Sequence, residues 1–359
     1  MKAKRIMMAM SGGVDSSLAA ALLREAGHEL IGVTVRGWTP PWWSGEDGDK
    51  SCCSLAAVED ARAVAQQLDI PFYVLNFSDA FFQDIVEPFA TTYLCGHTPN
   101  PCVACNRHIR FDRLYRKARE LECQAVATGH FARVWQHQGR WQLGRGVDHS
   151  KDQSYMLYTA SQEALAMTIY PLGNMTKPQV RNEAALRKLP TASRPESQDI
   201  CFVPDGNYAG LIEALHPGEI KPGPIFHVGG SKLGQHQGLC HHTIGQRRGL
   251  GLAWPEPLYV VGFDVGRNAL VVGEHNHLYR QDFEVEDVNW IAWPALSGTH
   301  VAKVKIRYGA EPVDGTLSEG ANGRCVVYLH EPQRAIAAGQ AAVFYDGDTV
   351  LGGGTIVPA

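Results

Sequence analysis

The seven residues from Ser11 to Ser17 combine glycines, hydroxyls and one acid in a way that suits a phosphorylated ligand. They read Ser11-Gly12-Gly13-Val14-Asp15-Ser16-Ser17. Adjacent glycines let backbone amides approach an anion closely, the three serine hydroxyls can donate hydrogen bonds, and Asp15 can hold Mg2+ beside phosphates. A Walker loop carries a lysine before its Ser/Thr, and this string has none. The string therefore predicts a phosphate loop of another kind.

Cysteines form the second group able to do chemistry. The chain has nine of them, at positions 52, 53, 95, 102, 105, 123, 201, 240 and 325. An odd number in a chain of this length argues against a disulfide framework and leaves reactive thiols or metal ligands open. Cys102 and Cys105 form a Cys-x-x-Cys pair in 98–106, where the prolines predict a rigid loop, and Cys201 follows in 196–203. The other six are predicted either to pack as small apolar residues or to have no role in the chemistry.

The elements that must position these groups alternate along the first third of the chain. Apolar runs predict strands at 5–10, 29–35, 72–77 and 124–128, and helical spacing predicts helices at 14–26, 55–68, 79–94 and 111–121. This alternation is typical of an α/β fold, a doubly wound parallel sheet with helices on both faces. Ligands of such sheets bind at the carboxyl ends of the strands, and the string 11–17 follows the first strand directly.

The amino-acid composition and the pattern of the sequence change after residue 204. A stretch rich in Gly, Pro and His is followed by short alternating segments with turn signals. We therefore predict three domains: the α/β domain at 1–204, a small mixed central domain at 205–272, and a C-terminal β-barrel at 273–359.

Composition and charge narrow the class of protein. The 359 residues carry 33 Lys+Arg against 37 Asp+Glu, a net charge of -4. No apolar run approaches the roughly 20 residues of a membrane span, and the first residues lack the pattern of a secretory signal, which predicts a soluble cytoplasmic protein without a membrane partner. A local basic face is still expected, because Arg107, Arg110, Arg113 and Arg116 recur every third residue and predict a stripe for RNA phosphates.

The string 11–17 resembles the PP-loop of the ATP pyrophosphatase superfamily, whose members cleave ATP between the α and β phosphates to adenylate an oxygen of their substrate. With the two cysteine segments added, the chain is similar from end to end to the tRNA-specific 2-thiouridylase family of the MnmA type. The matching segments include 128–133, 151–155, 242–250, 307–308 and 339–345.

The resemblance implies both the reaction and its ligands. ATP with Mg2+ would activate O2 of uridine 34, the wobble base of tRNAs for Lys, Glu and Gln, and sulfur would replace that oxygen, with AMP and pyrophosphate released. The nucleotide would lie along Ala9, Met10, Ser11, Gly12, Gly13, Val14, Asp15 and Ser16, with Val35 and Gly129 nearby. The tRNA would contact His130, Lys151, Asp152, Gln153, Arg307, Tyr308 and Gln340, with Asn100, Pro101 and Cys102 beside the target base.

The resemblance also assigns the cysteines. Cys201 matches the position that carries a persulfide, and Cys105 matches its partner, the nucleophile that can form a disulfide with it. Part of the family has Asp where this chain has Cys102, so an acid/base role there does not transfer to a thiol. Cys102, Cys105 and Cys201 are also the right number to hold a [4Fe-4S] cluster with one open iron, which would bind hydrosulfide. Both routes stay open, and in both a Ser at any of the three positions is expected to stop thiolation.

Other readings and the sulfur source are not fixed by the sequence. Another PP-loop adenylating ligase or amidotransferase is one alternative, and a non-catalytic RNA-binding sulfur carrier is a second. The first needs no cysteine trio, and the second has no use for an ATP loop. For a thiouridylase the sulfur would come from a cysteine desulfurase, a sulfur-relay protein or hydrosulfide.

Overall fold

The computed structural model describes residues 3–42, 54–195, 200–203 and 205–358. Its strands are β1 (Arg5–Ala9), β2 (Glu29–Arg36), β3 (Phe72–Asn76), β4 (Ala125–Ala127), β5 (Ala132–His137), β6 (Arg140–Arg145), β7 (Thr168–Ile169), β8 (Gly223–His227), β9 (Lys232–His236), β10 (Tyr259–Asp264), β11 (Ala269–Gly273), β12 (Tyr279–Trp290), β13 (Thr299–Lys305), β14 (Val313–Glu319), β15 (Cys325–Arg334), β16 (Ala341–Asp346) and β17 (Thr349–Ile356). Its α-helices are α1 (Val14–Glu25), α2 (Leu55–Gln67), α3 (Ser78–Phe81), α4 (Glu87–Leu94), α5 (Pro101–Ala104), α6 (Tyr115–Glu120), α7 (Gln162–Ala166), α8 (Lys177–Leu186) and α9 (Tyr208–Leu215).

The N-terminal sheet is parallel, in the order β3-β2-β1-β4-β7. Its strands are buried in the middle because helices cover both faces, as the predicted α/β fold requires. Residues 11–17, which we call the phosphate string, follow β1 and lead into α1, so they lie at the carboxyl edge of the sheet. The predicted fold class is confirmed.

Two helices of this domain contain π-helical segments. Phe82–Val86 joins α3 to α4, and Cys105–Leu114 joins α5 to α6. The second helix begins at Pro101, ten residues before the predicted start at 111, because Asn100 caps it: its side-chain oxygen accepts a hydrogen bond from the Val103 amide at 3.2 Å. Proline at the first helical position loses no hydrogen bond. The segment carrying Cys102 and Cys105 is therefore a helix, which corrects the predicted rigid loop.

Two further sheets follow. The central one is mixed, in the order β10-β11-β8-β9. In the C-terminal sheet the antiparallel order β12-β15-β14-β13-β16-β17 is closed by pairing of β17 with β12, which makes a six-stranded barrel. The predicted mixed domain and barrel are thus present, while the boundaries at 204 and 272 stay predictions. Within the described ranges, no helix is both long and apolar enough to span a bilayer.

The N-terminal domain contributes a hairpin to the barrel sheet. Strands β5 and β6 pair through a two-residue turn at Gln138 and Gly139, and β6 then pairs with β17, where Thr349 lies opposite Gly144. A single apolar core contains Met7 of β1, Leu143 of β6 and Val343 of β16. The first and last domains therefore share one core.

The two glycines of the phosphate string give a matched test of the fold. Gly12 has a φ of +72°, and a Cβ there would lie 2.2 Å from the Ala57 carbonyl oxygen at the start of α2. At Gly13 a Cβ would meet only the Ser11 hydroxyl, at 3.6 Å. We expect Gly12→Ala to lower the free energy of unfolding by roughly 2–5 kcal/mol, through backbone strain and overpacking, and Gly13→Ala by less than about 1 kcal/mol. Urea unfolding measures both, and equal losses would contradict the geometry.

Candidate active site

A cleft opens at the carboxyl edge of the parallel sheet, beside the phosphate string, with about 190 Å³ of space for water-sized molecules. Predicted nucleotide residues, predicted tRNA residues and two cysteines line it together. The lining residues are Ala9, Met10, Ser11, Asp15, Ser16, Val33, Val35, Phe81, Cys105, Ile109, Arg110, Leu114, Gly129, His130, Gln153 and Cys201. Parts of the chain far apart in sequence thus meet in one site.

Hydrogen bonds within the phosphate string fix its shape. The Ser11 amide donates to the Ser16 hydroxyl oxygen at 3.1 Å, and the hydroxyls of Ser16 and Ser17 donate to the Gly13 carbonyl at 3.1 and 2.8 Å. Ser17 is fully buried and does not line the cleft, so its hydroxyl holds the loop instead of facing a phosphate. Ser11 and Ser16 are the serines of the string that reach the cleft.

The other predicted nucleotide residues divide in two. Gly12 and Gly13 do not line the cleft and shape the turn, while Val14 packs in the core between the sheet and α1. Gly129 lines the cleft directly beside the string: a Cβ at Gly129 would lie 2.6 Å from the Ser16 amide nitrogen. This close approach of two backbones requires glycine.

Lys177, at the start of α8, contacts the acid of the phosphate string. Its ammonium lies 2.7 Å from both carboxylate oxygens of Asp15 and 5.5 Å from the centre of the Phe131 ring, and its side chain is only 8% exposed. Sequence reasoning missed Lys177, because it lies 162 positions from Asp15 and no local pattern marks it. Carboxylates such as that of Asp15 can hold Mg2+ beside phosphates, and in this structure the positive charge of the Lys177 ammonium offsets the negative charge of Asp15.

The Lys177–Asp15 pair gives a second prediction. Lys177→Met should lower the free energy of unfolding by roughly 1–3 kcal/mol, because the carboxylate loses its buried partner while about a third of it stays exposed. It should also raise the KM for ATP, since Asp15 is then no longer held. Denaturant unfolding and ATP-dependent pyrophosphate exchange measure the two effects. Lys232→Met, at an exposed lysine of β9, is the control; equal behaviour of the two variants would contradict the role of the pair.

Cys105 and Cys201 lie at the same end of the cleft, although 95 residues separate them in sequence. Both pack at the edge of one apolar cluster that contains Phe81, Ile109 and Phe202. Both are partly exposed, as a reacting thiol requires. Cys102, one helical turn before Cys105, is exposed and does not line the cleft.

The cysteines do not fit a metal cluster. Across the residues that the structure describes, no group of three or more His, Cys, Asp or Glu side chains could hold a metal ion. Cys102, Cys105 and Cys201 are therefore not grouped as ligands of a [4Fe-4S] cluster, and Cys102 is not among the residues that line the cleft with the other two. The iron–sulfur alternative finds no support in this geometry.

The remaining cysteines divide by burial. Cys123, Cys240 and Cys325 are buried, as predicted, and burial raises the pKa of all three thiols, that of Cys325 to about 12. They are uncharged at neutral pH and packed away from the cleft. Cys95 is exposed and lies outside the cleft lining, and Cys52 and Cys53 lie outside the described residues.

His130 and Gln153 form the wall of the cleft after β4. The His130 ring nitrogen Nδ1 lies 2.6 Å from the Thr128 hydroxyl, and burial together with the positive charge of Arg110 holds the pKa of His130 well below its usual range. The imidazole is therefore neutral at physiological pH. Two hydrogen bonds to Phe131 hold Gln153 in this wall. The Gln153 side-chain oxygen accepts from the Phe131 backbone amide, and the Gln153 backbone amide donates to the Phe131 carbonyl, both at 3.0 Å.

Comparisons with known proteins identify the family of this chain. Residues 4–205 match the family model described as the tRNA methyl transferase HUP domain, 215–274 its PRC-barrel domain, and 280–356 the aminomethyltransferase beta-barrel domain. The chain is 50% identical over 359 residues to the tRNA-specific 2-thiouridylase MnmA of Symbiobacterium thermophilum, covering 99% of this chain and 92% of that protein. It is 52% identical over 355 residues to MnmA of Moorella thermoacetica, covering 98% of each. The chain belongs to the tRNA-specific 2-thiouridylase family.

Members of this family are sulfurtransferases that modify tRNA. A solved NMN synthetase from Francisella tularensis also matches, at a TM-score of 0.36 and 18% identity over 59% of this chain and 76% of that one. The family assignment rests on the near full-length relatives instead.

For a tRNA-specific 2-thiouridylase, the predicted RNA residues should lie on an accessible surface, and most of them do. Lys151 and Gln153 are partly exposed, and Arg307 and Tyr308 are exposed. Asp152 is the exception: its carboxylate is 1% exposed and accepts hydrogen bonds from Ser154, from the Gly146 amide and from Arg145. We assign that carboxylate to holding this loop in place, not to contacting RNA.

The barrel holds the predicted target-base loop of this thiouridylase. The Gln340 side-chain amide donates to the carbonyls of Thr98 and Pro99 at 3.0 and 3.2 Å, and the Thr98 amide donates to the Ala338 carbonyl at 3.0 Å. Asn100 and Pro101 follow directly and start the helix that carries Cys102 and Cys105, which we call the cysteine helix. Gln340 therefore positions the loop in this structure, a contact that its sequence motif did not indicate.

The basic stripe predicted for RNA is not formed. Because the segment Cys105–Leu114 is wound as a π-helix, the arginines do not share one face. The basic residues that follow pair with acids instead: Arg113 with Asp84, Arg116 with Asp112, Lys117 with Glu120 and Arg119 with Glu163. Arg110 turns into the cleft.

Two groups of residues outside the cleft contain buried side chains. On β13, Lys303 is exposed and paired with Asp314, but Lys305 is buried against the rings of Tyr155 and Tyr308 and does not face solvent. The histidines at 236 and 242 are also buried, and burial lowers the pKa of both.

Proposed function

We propose that this protein uses ATP and Mg2+ to adenylate O2 of uridine 34 in the anticodon of tRNAs for Lys, Glu and Gln, and then replaces that oxygen with sulfur. The products are 2-thiouridine, AMP and pyrophosphate. The observation that carries the proposal is one cleft lined both by residues of the phosphate string and by Cys105 and Cys201. Activation of an oxygen and delivery of sulfur can then occur at one bound base.

The first step is activation. The uracil oxygen attacks the α phosphorus of ATP and pyrophosphate departs, which turns a poor leaving group into AMP. Ser11, Ser16 and the amino end of α1 supply hydrogen-bond donors and positive potential for the phosphates. Asp15 would help to hold Mg2+, which would neutralise phosphate charge. Neutral His130 and Gln153 lie on the wall where the base would stand.

The second step is sulfur transfer. A sulfur donor, either a cysteine desulfurase or a relay protein, loads Cys201 as a persulfide. The terminal sulfur attacks C2, the C2–O bond breaks, and its electron pair leaves with AMP. The Cys105 thiolate then attacks Sγ of Cys201, so the S–S bond breaks and the terminal sulfur stays on C2. A Cys105–Cys201 disulfide remains, and an external thiol must reduce it before the next cycle.

The base must leave its stack to reach the cleft. Bases of an anticodon loop are already single-stranded, so unstacking costs only a few kcal/mol. The loop at Asn100 and Pro101, held by Gln340, lies at the start of the cysteine helix and is proposed to border the base.

One experiment tests the proposal directly. The protein is incubated with unmodified tRNA, ATP, Mg2+ and a sulfur source, and 2-thiouridine and AMP are quantified by nucleoside chromatography and mass spectrometry. We expect one AMP per thiolated uridine and no product from the same tRNA carrying cytidine at position 34. Incorporation of nitrogen would favour the amidotransferase alternative, and the absence of AMP would favour a non-catalytic sulfur carrier.

A further inference from the structure

The π-helical segment Cys105–Leu114 brings an arginine to the reactive end of the cleft. Four of its residues line the cleft, at positions 105, 109, 110 and 114. In an α-helix, residue 110 would lie about 140° around the axis from residue 105. The wider winding of a π-helix, with hydrogen bonds from i to i+5, aligns them instead. Cys105 and Arg110 therefore share one face of the helix.

The charge of Arg110 acts on the groups around the cleft. It contributes to lowering the pKa of His130 on the opposite wall, and it lowers the pKa of Tyr115 and Tyr170 against the upward effect of burial. Asp15 is the only acid among the described residues that line this cleft, and Lys177 lies against it. Arg110 is thus the one Lys or Arg among the described residues that line this cleft.

A guanidinium that lines such a site suits a phosphate ester. Arginine presents parallel N–H donors that match two oxygens of a phosphate, and it keeps its charge when partly buried. The leaving group of the proposed reaction is the phosphate of AMP, which gains negative charge as the C2–O bond breaks. A donor aimed at developing charge stabilises a transition state more than a ground state.

We propose that Arg110 is a catalytic residue whose guanidinium binds the phosphate that joins adenosine to the activated base and stabilises AMP as it leaves. This rests on the proposed function. The sulfur lone pair forms the new C2–S bond, the C2–O electron pair passes to the phosphate oxygen of AMP, and Arg110 keeps its protons throughout.

The test compares Arg110→Gln and Arg110→Lys with Arg62→Gln, a control at an exposed arginine of α2. Thiolation is followed at saturating tRNA and ATP, and ATP consumption is followed in parallel. We expect kcat for 2-thiouridine to fall about 10²–10³-fold in Arg110→Gln, with partial recovery in Arg110→Lys and no change in the control. Adenylated tRNA should accumulate in Arg110→Gln, trapped by acid quench. A kcat within about threefold of the native protein would overturn the proposal.

A second measurement separates this role from an effect on the thiols. The rate of alkylation of Cys105 and Cys201 by iodoacetamide is recorded against pH in the native protein and in Arg110→Gln. If Arg110 binds phosphate, the two profiles coincide while AMP binds more weakly to the variant. A profile displaced to higher pH with unchanged AMP affinity would assign Arg110 to the thiolates and overturn the proposal. Failure of the proposed function itself would appear as inactivity of the native protein.

Discussion

Cys201→Ser is expected to abolish 2-thiouridine formation, by at least about a thousandfold, while ATP consumption continues. A serine cannot carry the sulfane sulfur, whereas the residues of the phosphate string that line the cleft are untouched by the substitution. Adenylated tRNA should therefore accumulate. Acid-quenched reactions analysed for 2-thiouridine, AMP and adenylated uridine measure all three quantities.

The Cys105→Ser variant should be blocked one step later, at cleavage of the S–S bond. The persulfide of Cys201 can still attack C2, but no thiolate follows to break the S–S bond, so the tRNA should stay joined to Cys201 through two sulfurs. We expect a protein–tRNA adduct that survives denaturation and releases thiolated tRNA when dithiothreitol is added. Cys95→Ser, at an exposed cysteine outside the cleft, is the control for loss of a thiol. Thiolation by Cys201→Ser, or no adduct with Cys105→Ser, would contradict this order of steps.

Cys102→Ser distinguishes the two sulfur routes. Because Cys102 is exposed and outside the cleft, the persulfide route now predicts that this variant keeps most of its activity, in contrast to the expectation from sequence. An iron–sulfur route requires all three cysteines. Loss of activity in Cys102→Ser together with a dependence on added iron and sulfide would favour the cluster.

Gly129→Ala is expected to reduce ATP-dependent turnover by at least about a hundredfold with little loss of secondary structure. The added methyl would lie 2.6 Å from the Ser16 nitrogen and 2.7 Å from the Asp15 carbonyl carbon, both backbone atoms of the phosphate string. The string must move by a sizeable fraction of an ångström, and a shift of about 1 Å at a reacting group can cost about 10²-fold.

Pyrophosphate exchange and ATP binding by calorimetry measure this effect. Gly266→Ala is the matched control, because a Cβ there meets only the Asp264 side chain, at 3.6 Å. Normal ATP affinity in Gly129→Ala would show that the string tolerates the methyl group, and the close approach of the two backbones would then not be required for nucleotide binding.

The sheet and the phosphate string were predictable because their signals are local. Apolar runs of strand length, helical spacing and adjacent glycines act within a few residues, so they identified β1, α1 and the loop between them. The start of α5 also has a local signal, because Asn100 followed by Pro101 is typical of a helix cap and first helical position. The β5–β6 hairpin had one too, in the Gln138-Gly139 turn between alternating residues.

Other features of the site had no local signal. The π-helical winding of Cys105–Leu114 depends on tertiary packing, so a basic residue every third position predicted an α-helical stripe that does not exist. The contact of Lys177 with Asp15 and the approach of Cys201 to the cleft containing Cys105 join residues roughly 95 to 160 positions apart. Only the family resemblance linked Cys105 with Cys201 before the structure was known.

The pairing of β6 with β17 bears on the order in which this protein is made. Translation proceeds from the amino end. The edge of β6 cannot pair with β17, and the shared core cannot be completed, until residues 343–350 have been synthesised. The loop before the cysteine helix likewise lacks its hydrogen bonds from Gln340 until that residue has been synthesised. Contacts of such long sequence separation form slowly. A nascent chain on the ribosome can thus build its nucleotide sheet early, but it cannot fix the loop that leads to Cys105 until the barrel has emerged, so an incomplete polypeptide would lack an ordered sulfur-transfer site.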